Sequence, residues 1–164
     1  DLQFSKTEVA TITKVYGVIM TLVGAALGGV LVMRFGTLRI LFLGAVLTAS
    51  TNLLFALLNE VGHDLELLTL IISLDNLSAG IATAAFVTYL SSLTNVAFSA
   101  TQYALFSSIM LLMPKLLAGF SGQVVEQIGY SSFFVGTSLL GIPVMILIIM
   151  VSKRGDALLP QADK

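Results

Sequence analysis

The fold of this chain is decided at residues 15–33, which read VYGVIMTLVGAALGGVLVM and contain no charged side chain over 19 positions. A helix that crosses the hydrocarbon core of a bilayer needs about 20 predominantly apolar residues. The run ends near Gly36, so it predicts one transmembrane helix. Of the 164 residues, 57% are hydrophobic and 10% are charged, whereas soluble domains carry about 25% charged residues. One core of this size cannot bury the surplus, which predicts contact with a lipid bilayer.

Four more runs of similar length follow. Capping boxes at residues 5–8 and 99–102 mark two helix starts, and glycines or Asn95 mark the ends. The predicted fold is an all-α integral membrane protein with about five transmembrane helices. A membrane domain covers residues 1–155, a short polar cytoplasmic tail covers residues 156–164, and the predicted spans are residues 6–34, 38–60, 64–94, 100–127 and 131–153.

The composition also limits the function classes. There are no cysteines, which excludes disulfides and thiolate metal sites. The net charge of −1 gives no reason to expect a nucleic-acid partner. No metalloprotease, serine-hydrolase or phosphate-loop motif is present. We therefore expect neither an enzyme nor a bound cofactor or metal.

Basic residues predict the orientation. Arg34 and Arg39 flank the first connection, and Lys153 and Arg154 follow the last helix, whereas the second connection is mostly acidic. The positive-inside rule places the first connection and the C-terminus in the cytoplasm. The N-terminus is then outside, which an odd number of spans satisfies. Because the sequence begins at Asp1 without an initiating methionine, we interpret it as an excerpt of a longer protein or as a processed product.

Three charged residues fall within the predicted spans: Lys14, Asp75 and Lys115. A charge at the membrane centre costs about 2.5–3.5 kcal/mol on insertion scales, so it favours a protein or water-filled surrounding. The first, third and fourth helices are therefore predicted to line a polar region, and the second and fifth to be peripheral. Asp75 and Lys115 lie about 16 and 18 Å from the outer helix ends. We expect them to face one cavity and to pair when it is empty.

Simpler explanations exist for each of these residues. Asp75 could serve helix packing, and Lys115 could bind a carbonyl freed by Pro114. Lys14 could extend to the interface, and Gln102 could act only as a helix cap. Small-residue patterns predict close helix packing at three pairs, which are Gly24 with Gly28, Ala25 with Gly29, and Ala118 with Gly122.

The first connection resembles a known loop motif. Residues 29–39 read GVLVMRFGTLR and are similar to the G-x-L-x-D-R-x-G-R-R motif of the major facilitator superfamily. In that family the motif joins the second and third helices of each six-helix half, on the cytoplasmic side. The matching positions are Gly29, Arg34, Gly36 and Arg39. Met33 replaces the acid, and such departures resemble the second half of these transporters.

A second resemblance covers almost the whole chain. The stretches FSKTEV (4–9), DNLSAG (75–80) with AAFV (84–87), and FSATQYAL (98–105) are similar to the C-terminal half of AmpG-type muropeptide permeases. The resemblance implies helices 8–12 of 12, partnered by the missing N-terminal half. It also implies proton-coupled import of anhydro-muropeptides, which are small amphiphilic glycopeptides, across the bacterial inner membrane. The N-terminus of the excerpt would then be periplasmic and its C-terminus cytoplasmic.

Under this resemblance the intramembrane polar residues acquire roles. Asp75 would take a proton or a polar group of the substrate. Lys115 and Lys14 would meet anionic groups, and Asn76, Ser78 and Gln102 would hydrogen-bond sugar or amide groups. Two alternatives remain: a carrier of the same superfamily for a drug, sugar or acyl-coenzyme A, and a membrane scaffold that transports nothing.

Overall fold

Helices account for nearly all of the computed structural model, which describes residues 10, 13–61, 64–94 and 99–158. A π-helical turn at Thr13–Gly17 leads into the first α-helix. The helices are α1 (Val18–Phe35), α2 (Thr37–Val61), α3 (Leu65–Ser92), α4 (Ser99–Ile128), α5 (Tyr130–Leu139) and α6 (Gly141–Leu158). The described residues contain no strand.

Within the described residues, five stretches are long and apolar enough to cross a membrane, which confirms the predicted fold class. The fifth stretch combines α5 with most of α6, and α6 itself continues through residues 156–158. The start predicted at residue 6 and the capping box at residues 5–8 lie outside the described residues. The five stretches are Lys14–Phe35, Thr37–Val61, Leu65–Ser92, Ala100–Ile128 and Tyr130–Lys153.

Short connections set the helices against one another. Gly36 separates α1 from α2 with a φ of 89°, and Gly129 separates α4 from α5 with a φ of 78°. Glycine adopts positive φ without the steric cost of a Cβ atom, so a single residue suffices for each reversal. Asp64 begins α3 as its N-cap, where its side chain accepts a hydrogen bond from the Leu67 amide at 3.0 Å. This bond satisfies one of the amides left free at a helix start.

Helix α3 is the central element of the bundle. It packs against α1 on one side and α2 on another, and α2 in turn packs against α5 and α6. A buried apolar cluster around Leu58 and Ile71 joins α2 to α3 near their connection. A second cluster around Ile40 and Ala85 joins their opposite ends. The middle of the α2–α3 contact therefore lies between two apolar layers.

Glycines allow α1 and α3 to approach closely. A Cβ atom on Gly24 would clash with the backbone of Leu77, and one on Gly80 would clash with the backbone around Gly24. Gly28 faces Ile81, whose Cα would lie 2.9 Å from an added Cβ. The predicted packing face at Gly24 and Gly28 is therefore confirmed.

The other two small-residue pairs behave differently. An added Cβ at Gly29 or Gly122 would meet no atom within 4 Å among the described residues. The predictions that these glycines mark close helix contacts are therefore wrong for this part of the chain. Spacing alone predicted the pairs, but only the side of the helix that a neighbour occupies decides which glycine is used.

Helix α4 has the most exposed surface. None of its described side chains is buried, and it touches α3 and α5 at few points. Polar and aromatic contacts instead join α2 to α5. Ser138 donates a hydrogen bond to the Ala49 carbonyl at 2.8 Å, and the rings of Phe55 and Phe134 stack at 5.1 Å. Of the three spans predicted to line a polar region, the first and third pack closely as α1 and α3, whereas α4 has few contacts with the other described helices.

Candidate functional site

Asp75 lies in the interior of α3, between the two apolar clusters of the α2–α3 contact. Its Oδ1 accepts a hydrogen bond of 2.8 Å from the hydroxyl of Thr51 on α2. Thr51 is 4% exposed, and Asp75 is half-buried. A buried polar side chain is costly unless it has a partner, so Thr51 and Asp75 stabilise each other at this level. The carboxyl is thereby held against α2, a helix that its uncharged middle predicts to be peripheral.

Asn76 makes the equivalent contact on the other side of α3. Its Oδ1 accepts a hydrogen bond of 3.1 Å from the hydroxyl of Thr21 on α1, and its Nδ2 donates to the Ile72 carbonyl at 2.8 Å. Gly17 packs against the same amide, and a Cβ added at this glycine would lie only 3.2 Å from Asn76 Nδ2. Consecutive residues of α3 therefore reach two different helices at one depth.

Ser78 is buried, but its hydroxyl serves its own helix. It is 4% exposed and donates to the Leu74 carbonyl at 2.7 Å. This is the usual way for serine to satisfy its hydroxyl inside a membrane helix. The contact supplies no group that faces a neighbouring helix in this arrangement.

The predicted cations are not next to Asp75. Lys115 follows Pro114 in α4 and is exposed, and Lys14 is exposed in the π-helical turn. Within the described part of the chain neither lysine forms an ion pair, and Asp75 is bonded by Thr51. Gln102 is half-buried near the start of α4 and has a bonded or electrostatic partner. The structure thus brings Asp75 and Asn76 to one level, and among the described residues neither lysine pairs with Asp75.

The four loop-motif residues cluster at the α1–α2 junction. Arg34 is exposed, and its guanidinium lies 5.5 Å from the ring centre of Phe35. Gly36 supplies the reversal of the chain, and its amide donates to the Val32 carbonyl at 2.9 Å. Arg39 is exposed one turn into α2, and Gly29 is half-buried two turns before the junction. Two arginines therefore flank one tight turn, and this is the feature from which the sequence predicts a cytoplasmic side for the connection.

Asp75 and Asn76 with their partners Thr51 and Thr21 form the polar level of the bundle. An apolar groove lies beyond this level, towards the end of the bundle that carries Arg34 and Arg39. It has a volume of about 470 Å³ and begins at Thr48, one turn from Thr51. Its walls carry hydroxyl groups but no charged side chain, which does not suit an anionic glycopeptide. The lining residues are Leu38, Leu41, Ala45, Thr48, Ala82, Thr83, Phe86, Tyr89, Met110, Val144, Leu147, Ile148 and Val151.

Thr51 and Thr21 are the polar contacts that sequence reasoning missed. Both lie in uncharged runs whose composition predicts only apolar spans. One signal could have identified Thr51, because residues 50–52 read STN in the middle of the second span. Thr21 has no such signal, since a lone threonine in a membrane helix usually bonds only to its own backbone.

Comparison with known proteins agrees with the family resemblance. The sequence profile of the Major Facilitator Superfamily matches residues 1–164. A "Putative transporter AmpG 4" of Rickettsia felis is 32% identical over 154 residues, covering 94% of this chain and 37% of the relative. A "Putative transporter AmpG 3" of Rickettsia prowazekii is 33% identical over 151 residues, covering 90% and 36%.

A third relative carries a more specific name. The "Anhydromuropeptide permease" of Escherichia coli is 32% identical over 147 residues, covering 90% of this chain and 30% of the relative. The chain thus spans about a third of the length of the curated relatives that it matches. The resemblance to AmpG-type proteins drawn from residues 4–9, 75–87 and 98–105 is confirmed. With five membrane-spanning helices and a match along its whole length, the chain belongs to the Major Facilitator Superfamily of transporters.

Proposed function

We propose that this chain is part of a secondary transporter that imports anhydro-muropeptides across the bacterial inner membrane. The similarity to a permease named for that cargo supports the choice of substrate. Transport would proceed by alternating access, in which two helical bundles rock around a site near the middle of the membrane. The remaining part of the same transporter would form the second bundle.

The observation that carries the mechanism is the position of Asp75. It is a carboxyl group inside a membrane-spanning helix, and its bonded partner is a neutral hydroxyl. An acid without a neighbouring cation can exchange a proton without breaking an ion pair, and intramembrane acids of this kind act in proton relays. We therefore assign proton coupling to Asp75.

Substrate contacts are proposed for the remaining polar residues. Lys14 and Lys115 are exposed within the chain, so their ammonium groups are free to meet the carboxylates of a glycopeptide. Asn76 and Gln102 would hydrogen-bond its sugar or amide groups, and Ser78 would join them in a transport state that exposes its hydroxyl. The arginine-flanked α1–α2 turn would face the cytoplasm, and the start of the first span would face the periplasm.

The test is uptake of radiolabelled anhydro-muropeptide by cells that carry the complete gene product containing this chain. We expect accumulation that a protonophore abolishes and that excess unlabelled anhydro-muropeptide competes away. Cells with the empty vector provide the baseline. Uptake at that baseline, together with transport of a labelled sugar, drug or acyl-coenzyme A, would replace the proposed cargo by another. Transport of none of these would favour the scaffold alternative.

A further inference from the structure

We propose that Thr51 is a positioning residue that links the protonation of Asp75 to the contact between α2 and α3. The inference rests on the proposed proton-coupled transport. It assigns a role to a residue of α2, a helix whose only charged side chains, Arg39 and Glu60, lie near its two ends. Asn76 and Thr21 form a matched contact on the opposite side of α3 that cannot titrate.

The Thr51 hydroxyl is placed between two acceptors. Its Oγ1 lies 2.8 Å from Asp75 Oδ1 and 3.0 Å from the Thr48 carbonyl oxygen. A hydroxyl has one hydrogen to donate, so at any moment it favours one of these acceptors. A carboxylate is the stronger acceptor, because hydrogen bonds to charged groups are shorter and stronger than neutral ones.

Protonation of Asp75 changes which group donates. The added proton converts the carboxylate into a carboxylic acid with an O–H of its own. That O–H can donate to Thr51 Oγ1, and the Thr51 hydrogen then turns to the Thr48 carbonyl. Alternatively, the acid can donate to a substrate group, and its other oxygen then accepts only a neutral hydrogen bond from Thr51. In both cases no atom is gained beyond the single proton, and the charge-assisted bond between the helices disappears.

Other charged groups do not compete for this role. The charges on the elements packed around Asp75 are Lys14 in the π-helical turn, Arg34 on α1, Arg39 and Glu60 near the ends of α2, Glu66 on α3, and Lys115 and Glu126 on α4. In the part of the chain that the structure describes, none of them pairs with Asp75. Among the described residues, the only hydrogen bond to the carboxyl from a neighbouring helix is therefore the one from Thr51.

The contact between Thr21 and Asn76 serves as the internal control. The Thr21 hydroxyl also lies between two acceptors, the Gly17 carbonyl at 2.8 Å and Asn76 Oδ1 at 3.1 Å. Because an amide does not titrate, this bond between α1 and α3 stays the same at every pH. Removing the Thr21 hydroxyl therefore tests the loss of a helix contact without a change at the acid.

The experiment measures the protonation of Asp75 directly and needs no cargo. The complete gene product is reconstituted in vesicles and treated with dicyclohexylcarbodiimide, which modifies protonated carboxyl groups in apolar surroundings. Mass spectrometry then gives the modified fraction of Asp75 as a function of pH. The variants are Thr51→Val, which removes the hydroxyl at nearly constant volume, Thr51→Ser, which restores it, and Thr21→Val.

We expect the pH of half-modification to move upward by about one pH unit in Thr51→Val, since a donor to the charged form is lost. Thr51→Ser and Thr21→Val should match the unmodified protein. If Thr51→Val does not assemble, Thr51→Ala carries the same expectation. An unchanged titration in the hydroxyl-free variant, or an equal shift in Thr21→Val, overturns the proposal.

The titration of Asp75 and the uptake of anhydro-muropeptide can succeed or fail independently of each other. A shifted titration combined with no muropeptide uptake would reject the proposed substrate and keep the role of Thr51. An unshifted titration combined with normal muropeptide uptake would keep the transporter and reject the role of Thr51.

Discussion

At the scale of residues, the polar level of the bundle consists of neutral groups around one acid. Thr51 donates to Asp75 from α2, and Thr21 donates to Asn76 from α1. Each threonine hydroxyl also lies within hydrogen-bond distance of a carbonyl about one turn earlier in the chain, at Thr48 or Gly17. The hydroxyl therefore keeps a partner when Asp75 or Asn76 changes its own. Such a level can rearrange without leaving a buried donor unpaired, a state that costs about 1–3 kcal/mol.

The substitution Asp75→Asn separates proton coupling from substrate passage. Asparagine keeps an acceptor oxygen for Thr51 but cannot bind and release a proton. In vesicles that contain the complete gene product, we expect gradient-driven uptake of anhydro-muropeptide to fall to the level of empty vesicles. Exchange of labelled for unlabelled substrate should persist, because it requires no net proton movement.

Both activities are measured in one preparation, and Asp64→Asn is a suitable control outside the span. Gradient-driven accumulation at the rate of the unmodified protein would contradict a coupling role for Asp75.

At the scale of elements, α3 holds the bundle together because it presents small residues where its neighbours cross. Gly80 meets the backbone of α1 at Gly24, and Ala82 meets Gly44 of α2. In lipid there is little hydrophobic gain from joining two apolar helices, so close backbone packing and hydrogen bonds supply the attraction. The glycine contacts and the threonine bonds therefore act at the same crossings.

A single methyl group tests this packing. Gly24→Ala places a Cβ against the Leu77 backbone, whereas Gly29→Ala places it in open space on the same helix. We expect Gly24→Ala to lower the free energy of unfolding by about 1–3 kcal/mol, the usual cost of overpacking. Gly29→Ala should leave it unchanged or raise it by up to about 1 kcal/mol through helix propensity.

Detergent-induced unfolding of the complete gene product, followed by circular dichroism, measures both changes. Equal effects of the two substitutions would show that the α1–α3 crossing does not depend on Gly24.

At the scale of the whole molecule, α4 stands apart from the well-packed helices. It carries exposed apolar side chains along its length, including Leu117 at 71% and Phe120 at 62% exposure, and α1 exposes Leu22 at 66%. Exposed apolar surface of this extent is expected against lipid or another protein surface. The chain spans about a third of its relatives, and we propose that the rest of the transporter covers part of these faces.

Membrane orientation is testable because the chain contains no cysteine. Single cysteines at Thr37 and at Glu60 lie at opposite ends of α2. With any cysteines elsewhere in the gene product replaced by serine, we expect a membrane-impermeant maleimide to label Glu60→Cys in cells whose outer membrane is permeabilised. Thr37→Cys should react only after the inner membrane is disrupted.

This expectation follows from Arg34 and Arg39 beside the first connection and the acidic residues beside the second. The reverse labelling pattern would invert the proposed topology and place the arginine-flanked turn in the periplasm.

The sequence by itself determined the membrane fold, its five spans and the importance of Asp75 as a candidate. Runs of about 20 apolar residues and a rare intramembrane charge are local properties, and the bilayer acts on each helix separately. The amino-acid patterns at residues 75–80 and 98–105 also carried the family resemblance. These features require no knowledge of which helices touch.

Only the tertiary structure decided the partners. Gly24 and Gly29 are glycines of the same helix, and each belongs to a pair of small residues spaced four apart. An added Cβ at Gly24 would nevertheless clash with α3, whereas one at Gly29 would meet no described atom within 4 Å. Thr51 rather than Lys115 contacts Asp75, because the contact depends on which face of α2 turns towards α3. Helix rotation and crossing result from many small packing terms summed over several helices, and no single stretch of sequence contains them.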